Sequence, residues 1–350
     1  MHFVGLDYHT KSSYVSILDE HNEEIWNGRL ESSSELADFL KGLDDAKVLF
    51  EAGYGWPRLA KMLDDTGVEL TMCHPEHNRR IATDRRKSDR RDARNLAVYL
   101  KTDGYKKAYM PGADIRDERQ LIRSQIHMSW GVTRLKNQIH SLLAYAGVSK
   151  ESFNIFTKRS REYLETVELP EYTRQVLDAK IELYDFTKDL LKRIESIVAE
   201  LNRSDPDARL LKTIPGVGDI TARVILSEIG DISRFESDDS LACYSGLTQR
   251  EYQSSETRRT MGITKEGSSD LRWVLIQAAW IAIRFDPALR EFYERIEARK
   301  NARVAICAVA HKLVKAVWHI LTEKIPYKAK KPEAKGKPAV ARGKAVASPS

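Results

Sequence analysis

Cysteine is scarce in this chain. Its three cysteines, Cys73, Cys243 and Cys307, are scattered and odd in number. That argues against a disulfide framework and fits a reducing cytosol. Cys73, His74 and His77 in "CHPEH" have no second ligand pair of the kind a zinc site needs. Long apolar runs are missing as well: none reaches the roughly 18 residues of a membrane span, and "MHFVGLDYHTK" has no signal-peptide layout. No membrane partner is expected. Net charge is absent from most of the chain. The total is +6, and the stretch from Lys328 to Ser350 carries seven basic residues against Glu333, which accounts for all of it. The body is about neutral, so any grip on nucleic acid must come from local clusters, with the tail adding nonspecific, salt-sensitive contact.

At 350 residues the chain is too long for one ordinary core, and two or three domains are expected. The first part alternates strands and helices. "FVGLDYH", "YVSILDE" and "EEIWNGRLES" predict a β-meander. A helix over "SSELADFLKGL", a buried strand over "AKVLFE", a helix over "PRLAKMLDDTG", a strand over "VELTMCHP" and a further helix follow. This is the ribonuclease-H-like order. The middle is helical. Leu121, Gln125, Met128, Val132, Leu135, Ile139 and Leu142 trace one heptad seam. Leu177, Tyr184, Leu191 and Val198 trace a second. The seams predict either two antiparallel helices within one chain or a coiled coil joining protomers. The third part, from about Arg209 to Ile325, reads as helical again. The Lys-, Ala- and Pro-rich tail cannot bury enough apolar surface to fold and is expected to be disordered.

Two carboxylates end apolar strands: Asp7 in "FVGLD" and Glu51 in "KVLFE". A buried acid is costly unless something pairs with it. In a ribonuclease-H-like sheet the first and fourth strands are parallel neighbours, so the two acids would repel, and a divalent cation is the usual remedy. "DRRKSDRRDARNLAVYL" adds Asp89 and Asp92, three apart and therefore on one helix face. The other reading is a helix start, with Asp89 as N-cap and Asp92 in the first turn. Four such carboxylates can hold two Mg²⁺ about 4 Å apart, the arrangement that activates an attacking oxygen and stabilises a leaving one at phosphorus. Arg85, Arg86 and Lys87 beside them are candidate phosphate contacts.

"LLKTIPGVGDITARVILSEIG" reads as a helix-hairpin-helix. Gly216 and Gly218 would let the backbone approach a DNA phosphate, with the opening N–H groups of the second helix binding it. An ordinary tight helical hairpin is the plainer alternative. In "YSGLTQREYQSSETRRTMGITKEG", Ser254 and Ser255 stand among Arg250, Arg258, Arg259 and Lys265. A serine near several cations can attack a phosphodiester, and the cations stabilise charge on the phosphoryl oxygens. A polar loop with phosphate-binding arginines is the alternative.

Taken in order, Asp7, Glu51, "KSDRRDARNLA", the "IPGVG" hairpin and "GLTQREYQSS…GITKEG…LRW" resemble the DEDD transposases of insertion-sequence family 110. These are relatives of the Piv-type DNA invertases and are also called bridge-RNA recombinases. The resemblance covers about residues 3 to 325. It implies a RuvC-like domain over 1–112, a helical coiled-coil region over 113–203, a C-terminal transposase domain over 204–326 and a disordered basic tail over 327–350. It places the four acids on Asp7, Glu51, Asp89 and Asp92, with Mg²⁺ as cofactor. It places the nucleophile on Ser254, with Ser255 as the alternate. It further implies cleavage of double-stranded donor and target DNA through a covalent phosphoserine, half-sites from different protomers of a dimer or tetramer, and a guide RNA encoded by the element. A bacterial or archaeal, nucleoid-associated cytoplasmic protein is the corresponding expectation. Two departures stand out. Ser255 and Glu256 follow Ser254 where the family usually has glycine, and "EAGYG" replaces the common "EATG". The rival readings are a junction-resolving nuclease that uses water, and a non-catalytic DNA-binding protein.

Overall fold

The computed structural model describes residues 1–64, 66–74, 88–148, 156–254 and 257–329, with the backbone alone for 251–254 and 257–261. Arg85, Arg86, Lys87, His77, Ser255 and the tail beyond 329 lie outside the described residues. The chain divides into two compact units, Met1–Arg116 and the residues from Asp117 onward.

In the first unit, β1 (His2–Asp7), β2 (Ser13–Leu18) and β3 (Glu24–Leu30) form the meander. After α1 (Ser33–Lys41), β4 (Ala46–Glu51) returns to the far side of β1 and runs parallel to it. After α2 (Trp56–Leu63), β5 (Glu69–Cys73) pairs parallel with β4, giving the order β3-β2-β1-β4-β5. A final helix, α3, spans Asp89–Thr102. Side chains alternate across the sheet. Val4, Leu6, Val48 and Phe50 share one face and pack with Leu36, Leu40, Leu59 and Leu63 of α1 and α2. Leu49 and Cys73 take the other face, with Leu96 of α3. Cys73 is fully buried there, with its thiol directed to the Phe50 carbonyl, and so serves an apolar cluster and not a zinc site.

The approach of α3 to the sheet depends on Gly5. A Cβ built there would lie 1.9 Å from the Ala93 carbonyl oxygen and 2.3 Å from the Ala97 nitrogen. The helix backbone therefore rests on bare strand, with Ala93 and Ala97 fully buried beside it. α3 runs antiparallel to β1. Lys101 lies over the Phe3 ring, the Ala93–Ala97 turn lies over Gly5, and the Asp89 end reaches Asp7.

In the second unit the two heptad seams meet each other inside one chain. α4 (Ala113–Tyr145) and α6 (Glu171–Ser204) run antiparallel, with α5 (Lys158–Thr166) against them. Val132, Ile139 and Leu143 pack with Leu177 and Tyr184, while Ile122 and Ile126 share a core with Val198 at the other end. Lys180 donates to Gln138 across the pair (2.9 Å). The rest of that core comes from α7 (Pro206–Leu211), α8 (Asp219–Ile229), α9 (Asp238–Ser245), α10 (Ser269–Phe285), α11 (Pro287–Glu297) and α12 (Ala302–Glu323). α12 is long and apolar enough to cross a membrane, yet its stripe from Ala305 to Leu321 is buried in this core.

The third part is not wholly helical. β6 (Gln249–Ser254) and β7 (Thr257–Ile263) form an antiparallel ribbon. Its strands, "QREYQS" and "TRRTMGI", lack the apolar alternation that marks a half-buried strand, so the pattern did not reveal it.

Substituting Gly5 by valine should displace α3. Overpacking costs about 1–3 kcal/mol, and a backbone neighbour that cannot rotate away puts this case at the upper end. Calorimetry of the full chain should show a melting transition lowered by roughly 10 °C. A fall under about 2 °C would mean the helix lifts freely.

Candidate functional site

Strand parity decides which way the two strand-end acids point. Asp7 lies on the face of β1 that carries Gly5, and Glu51 lies on the face of β4 that carries Leu49. That is the α3 side. Leu6 is in register with Phe50, so Asp7 and Glu51 follow side by side at the ends of two parallel strands. The first turn of α3 supplies Asp89 and Asp92.

Asp7 is half-buried, whereas Glu51, expected to be a buried strand-end acid, is exposed, as is Asp89. Asp7 is held above the ordinary aspartate range, first by burial and then by Asp89, Asp92 and Glu51, with only His9 acting in the opposite direction. The Tyr99 hydroxyl is likewise raised by burial and by Glu51 and Asp92. Among the described residues, one group of three potential metal ligands stands together. The ligand atoms of Asp7, His9 and Asp89 all lie within 4.8 Å of one another.

Capping does not account for the aspartate pair. The N-cap position of α3 belongs to Ser88, which makes no side-chain capping bond, and Asp89 is already the first helical residue. Both acids sit where the helix dipole favours negative charge. The arginines around them point elsewhere in part: Arg94 pairs with Glu24 of β3 at 3.5 Å.

Sequence reasoning missed His9. Its Nε2 stands 3.5 Å from Asp7 Oδ2. The signal was its place two residues beyond a strand-end acid, in a loop. Gly55 was also underrated. A Cβ there would lie 2.7 Å from the Tyr8 ring and 3.1 Å from Thr10, so "EAGYG" keeps its last glycine to let the β1–β2 loop pack on the turn after β4.

The second unit holds the other candidates. Gly216 has a positive φ of 91°, and a Cβ on it would lie 2.5 Å from the Ala278 carbonyl of α10. That glycine therefore has a packing reason of its own. Gly218 heads α8 with open space around it. Asp219 follows in the first turn, and its carboxylate is held below the ordinary range by Lys212 (2.7 Å) and Asn202. Ser254 pairs with Thr257 as the last described rung of the ribbon, and Arg258 and Arg259 lie on β7. Lys265 is exposed in the loop after it, with a left-handed backbone.

The base of this ribbon is tightly held. Thr264, Lys265 and Ser268 donate backbone N–H groups to Thr248, Gly246 and Tyr244 carbonyls at 2.9, 3.1 and 3.0 Å. A Cβ on Gly267 would lie 2.0 Å from the Tyr244 carbonyl oxygen, so the loop after β7 touches the last turn of α9 through glycine. Ser268 Oγ donates to the buried Glu228 carboxylate (3.1 Å), whose other oxygen accepts from Arg123 (3.0 Å).

The donor set of the first unit fits a hard divalent cation. Asp7 and Asp89 offer carboxylate oxygens, and like charges so close favour a cation beside them. Because Asp7 is raised, its charged form costs stability: the contribution is present below the ordinary aspartate range and is lost as pH rises through the raised value. Replacing Asp7 by asparagine should therefore raise the melting temperature of the metal-free protein at neutral pH by about 2–4 °C. Millimolar Mg²⁺ should stabilise the parent chain and not the variant. A variant that melts lower without metal would mean that the His9 contact of Asp7 outweighs its burial and repulsion.

Comparison with known proteins reaches both units. A family model described as a transposase, of the DEDD type of IS110, matches residues 4–146, and the model of the transposase IS116/IS110/IS902 family matches residues 208–294. The transposase for insertion sequence element IS1328 of Yersinia enterocolitica is 25% identical over 329 residues, covering 91% of this chain and 96% of its own. The transposase for insertion sequence element IS1111A of Coxiella burnetii is 23% identical over 335 residues, covering 93% and 91%. The pilin gene-inverting protein of Moraxella bovis is 31% identical over 147 residues, covering 40% and 45%. With a mixed α/β sheet unit, a mostly helical second unit and both family models in chain order, the chain belongs to the IS110-type transposases and is a DNA transposase.

Proposed function

We propose that this transposase cuts and rejoins DNA at the ends of a mobile element through a serine nucleophile, Ser254, working with a divalent-metal site on Asp7, Glu51, Asp89 and Asp92. One observation carries the reading: Asp7 at the end of β1 and Asp89 of α3 bring their ligand atoms, with that of His9, within 4.8 Å of one another, and Asp7 also feels the charges of Asp92 and Glu51. Carboxylates that meet in this way offer a hard cation its oxygen ligands. The strand order β3-β2-β1-β4-β5, with β1 and β4 parallel, supports a ribonuclease-H-like, RuvC-like reading of the first unit.

The chemistry is phosphoryl transfer. The serine hydroxyl gives up its proton and attacks phosphorus. One P–O bond to deoxyribose breaks as the Ser254 Oγ–P bond forms, and the leaving oxygen takes a proton to become a hydroxyl. A second DNA end reverses the step and releases the serine. Cations held by the four acids would supply positive charge for the phosphoryl oxygens. Arg258, Arg259 and Lys265 are assigned to the phosphate, Gly216 and Gly218 of the helical hairpin to the DNA backbone, and the basic tail to nonspecific contact. Target choice is assigned to an element-encoded guide RNA, on the strength of the family resemblance.

Oligomerisation is assigned to α6. Besides the seam that packs on α4, this helix carries Val176, Leu183, Leu190 and Ile197 seven residues apart, of which Leu183 and Ile197 are about half exposed, at 51% and 50%. A second apolar heptad line left open to water suits a second copy of the chain.

Ser254→Ala should abolish the covalent protein–DNA adduct and recombination while leaving DNA affinity unchanged. Full recombination by that variant would sink the serine reading. Asp89→Asn and Asp92→Asn should each lower metal-dependent strand cleavage by roughly 10²–10³-fold; retention in both would return the pair to a structural role. A Leu183→Glu, Ile197→Glu double variant should elute as a smaller species in size-exclusion chromatography with light scattering. An unchanged mass would remove α6 from the interface.

A further inference from the structure

We propose that His9 is a nitrogen ligand of the carboxylate site and gives it a preference for Mn²⁺-type cations over Mg²⁺. This rests on the reading above that the acids hold a divalent cation, and adds which cation the chain selects.

The side chain is in position. Its Nε2 stands 3.5 Å from Asp7 Oδ2. With Asp89 it completes a trio of ligand atoms lying within 4.8 Å of one another. Donors on opposite sides of a small divalent ion stand about 4.2–4.4 Å apart, and adjacent donors about 3 Å. The trio can close on an ion through side-chain rotation of less than an ångström or so, and His9, 59% exposed, is free to rotate.

Its backbone is held. The Ser13 hydroxyl, buried at the start of β2, donates to the His9 carbonyl (3.3 Å) and accepts from the His9 N–H (3.4 Å). The neighbours Tyr8 and Thr10 close against Gly55. The loop therefore presents His9 from a fixed base, on the same side as Asp7.

The donor chemistry decides the preference. Mg²⁺ is a hard ion that takes carboxylate oxygens and keeps its waters, gaining little from an imidazole. Zn²⁺ and Co²⁺ take imidazole nitrogen readily, and Mn²⁺, though mainly an oxygen binder, takes it more readily than Mg²⁺, so replacing an oxygen donor by nitrogen moves a site away from Mg²⁺. Four carboxylates alone would make an oxygen site. With His9 it becomes a mixed site.

The test uses the full chain without DNA, with Mn²⁺ alone and Mg²⁺ alone as probes. His9→Ala should lower Mn²⁺ affinity by about tenfold or more while leaving Mg²⁺ affinity within about twofold. Pulsed electron paramagnetic resonance of bound Mn²⁺ should show ¹⁴N modulation in the parent chain and none in His9→Ala. Unchanged Mn²⁺ affinity with no ¹⁴N modulation would overturn the proposal and leave His9 as an ion-pair partner of Asp7. Asp89→Asn separates the two levels of the argument. If it binds Mn²⁺ as the parent does, the carboxylate reading itself fails whatever His9 does. If it loses Mn²⁺ while His9→Ala keeps it, only the proposal about His9 fails.

Discussion

In the first unit a helix backbone rests directly on a strand at Gly5. With no Cβ in the way, the Ala93–Ala97 turn of α3 sits directly over β1. Much else follows from that contact. An antiparallel helix pinned there must bring its first turn over the end of the strand, where Asp7 stands. A side chain at position 5 would push the helix outward and spread the acids. Close packing at one glycine thus sets the geometry of charges two residues away on the strand and one turn away on the helix.

Those charges come at a cost to the fold. Asp7 is held above its ordinary range because burial and three other carboxylates all disfavour its anion. A stretch as rich in arginine as "DRRKSDRRDAR" offered a local remedy, yet Arg94 is committed to Glu24 on β3. That arginine serves another part of the sheet and not the acids. A cation bound beside Asp7 and Asp89, as proposed above, would relieve that cost and stabilise this unit.

The second unit secures its ribbon in the opposite way, by pairing a buried acid near its base. Glu228 is buried with its carboxylate shared between Arg123 and Ser268, and its carbonyl accepts from Arg119 and Tyr244. Breaking one partner of such a buried pair leaves a charge without compensation, typically costing 3–5 kcal/mol. The strands that carry Ser254 and the arginines of β7 thus spring from a rigid foot.

Much of this was written locally. Apolar runs ending in Asp7 and Glu51, a pair of aspartates three apart, two heptad seams and a Pro-Gly turn between helices can all be read without a structure, because each is a short-range pattern of which face is buried. What a buried face packs against is not recorded locally. The seams could have joined protomers; tertiary packing turned them on each other within one chain and left a second heptad line on α6 exposed. The β6–β7 ribbon was hidden because its side chains carry no apolar alternation. His9 was hidden because a loop histidine acquires meaning only from Asp89, eighty residues away, and those two meet only because Gly5 lets α3 lie on β1. The acids were thus legible in the chain as residues, while the meeting of Asp7, His9 and Asp89 was decided by a backbone contact that only the folded chain makes.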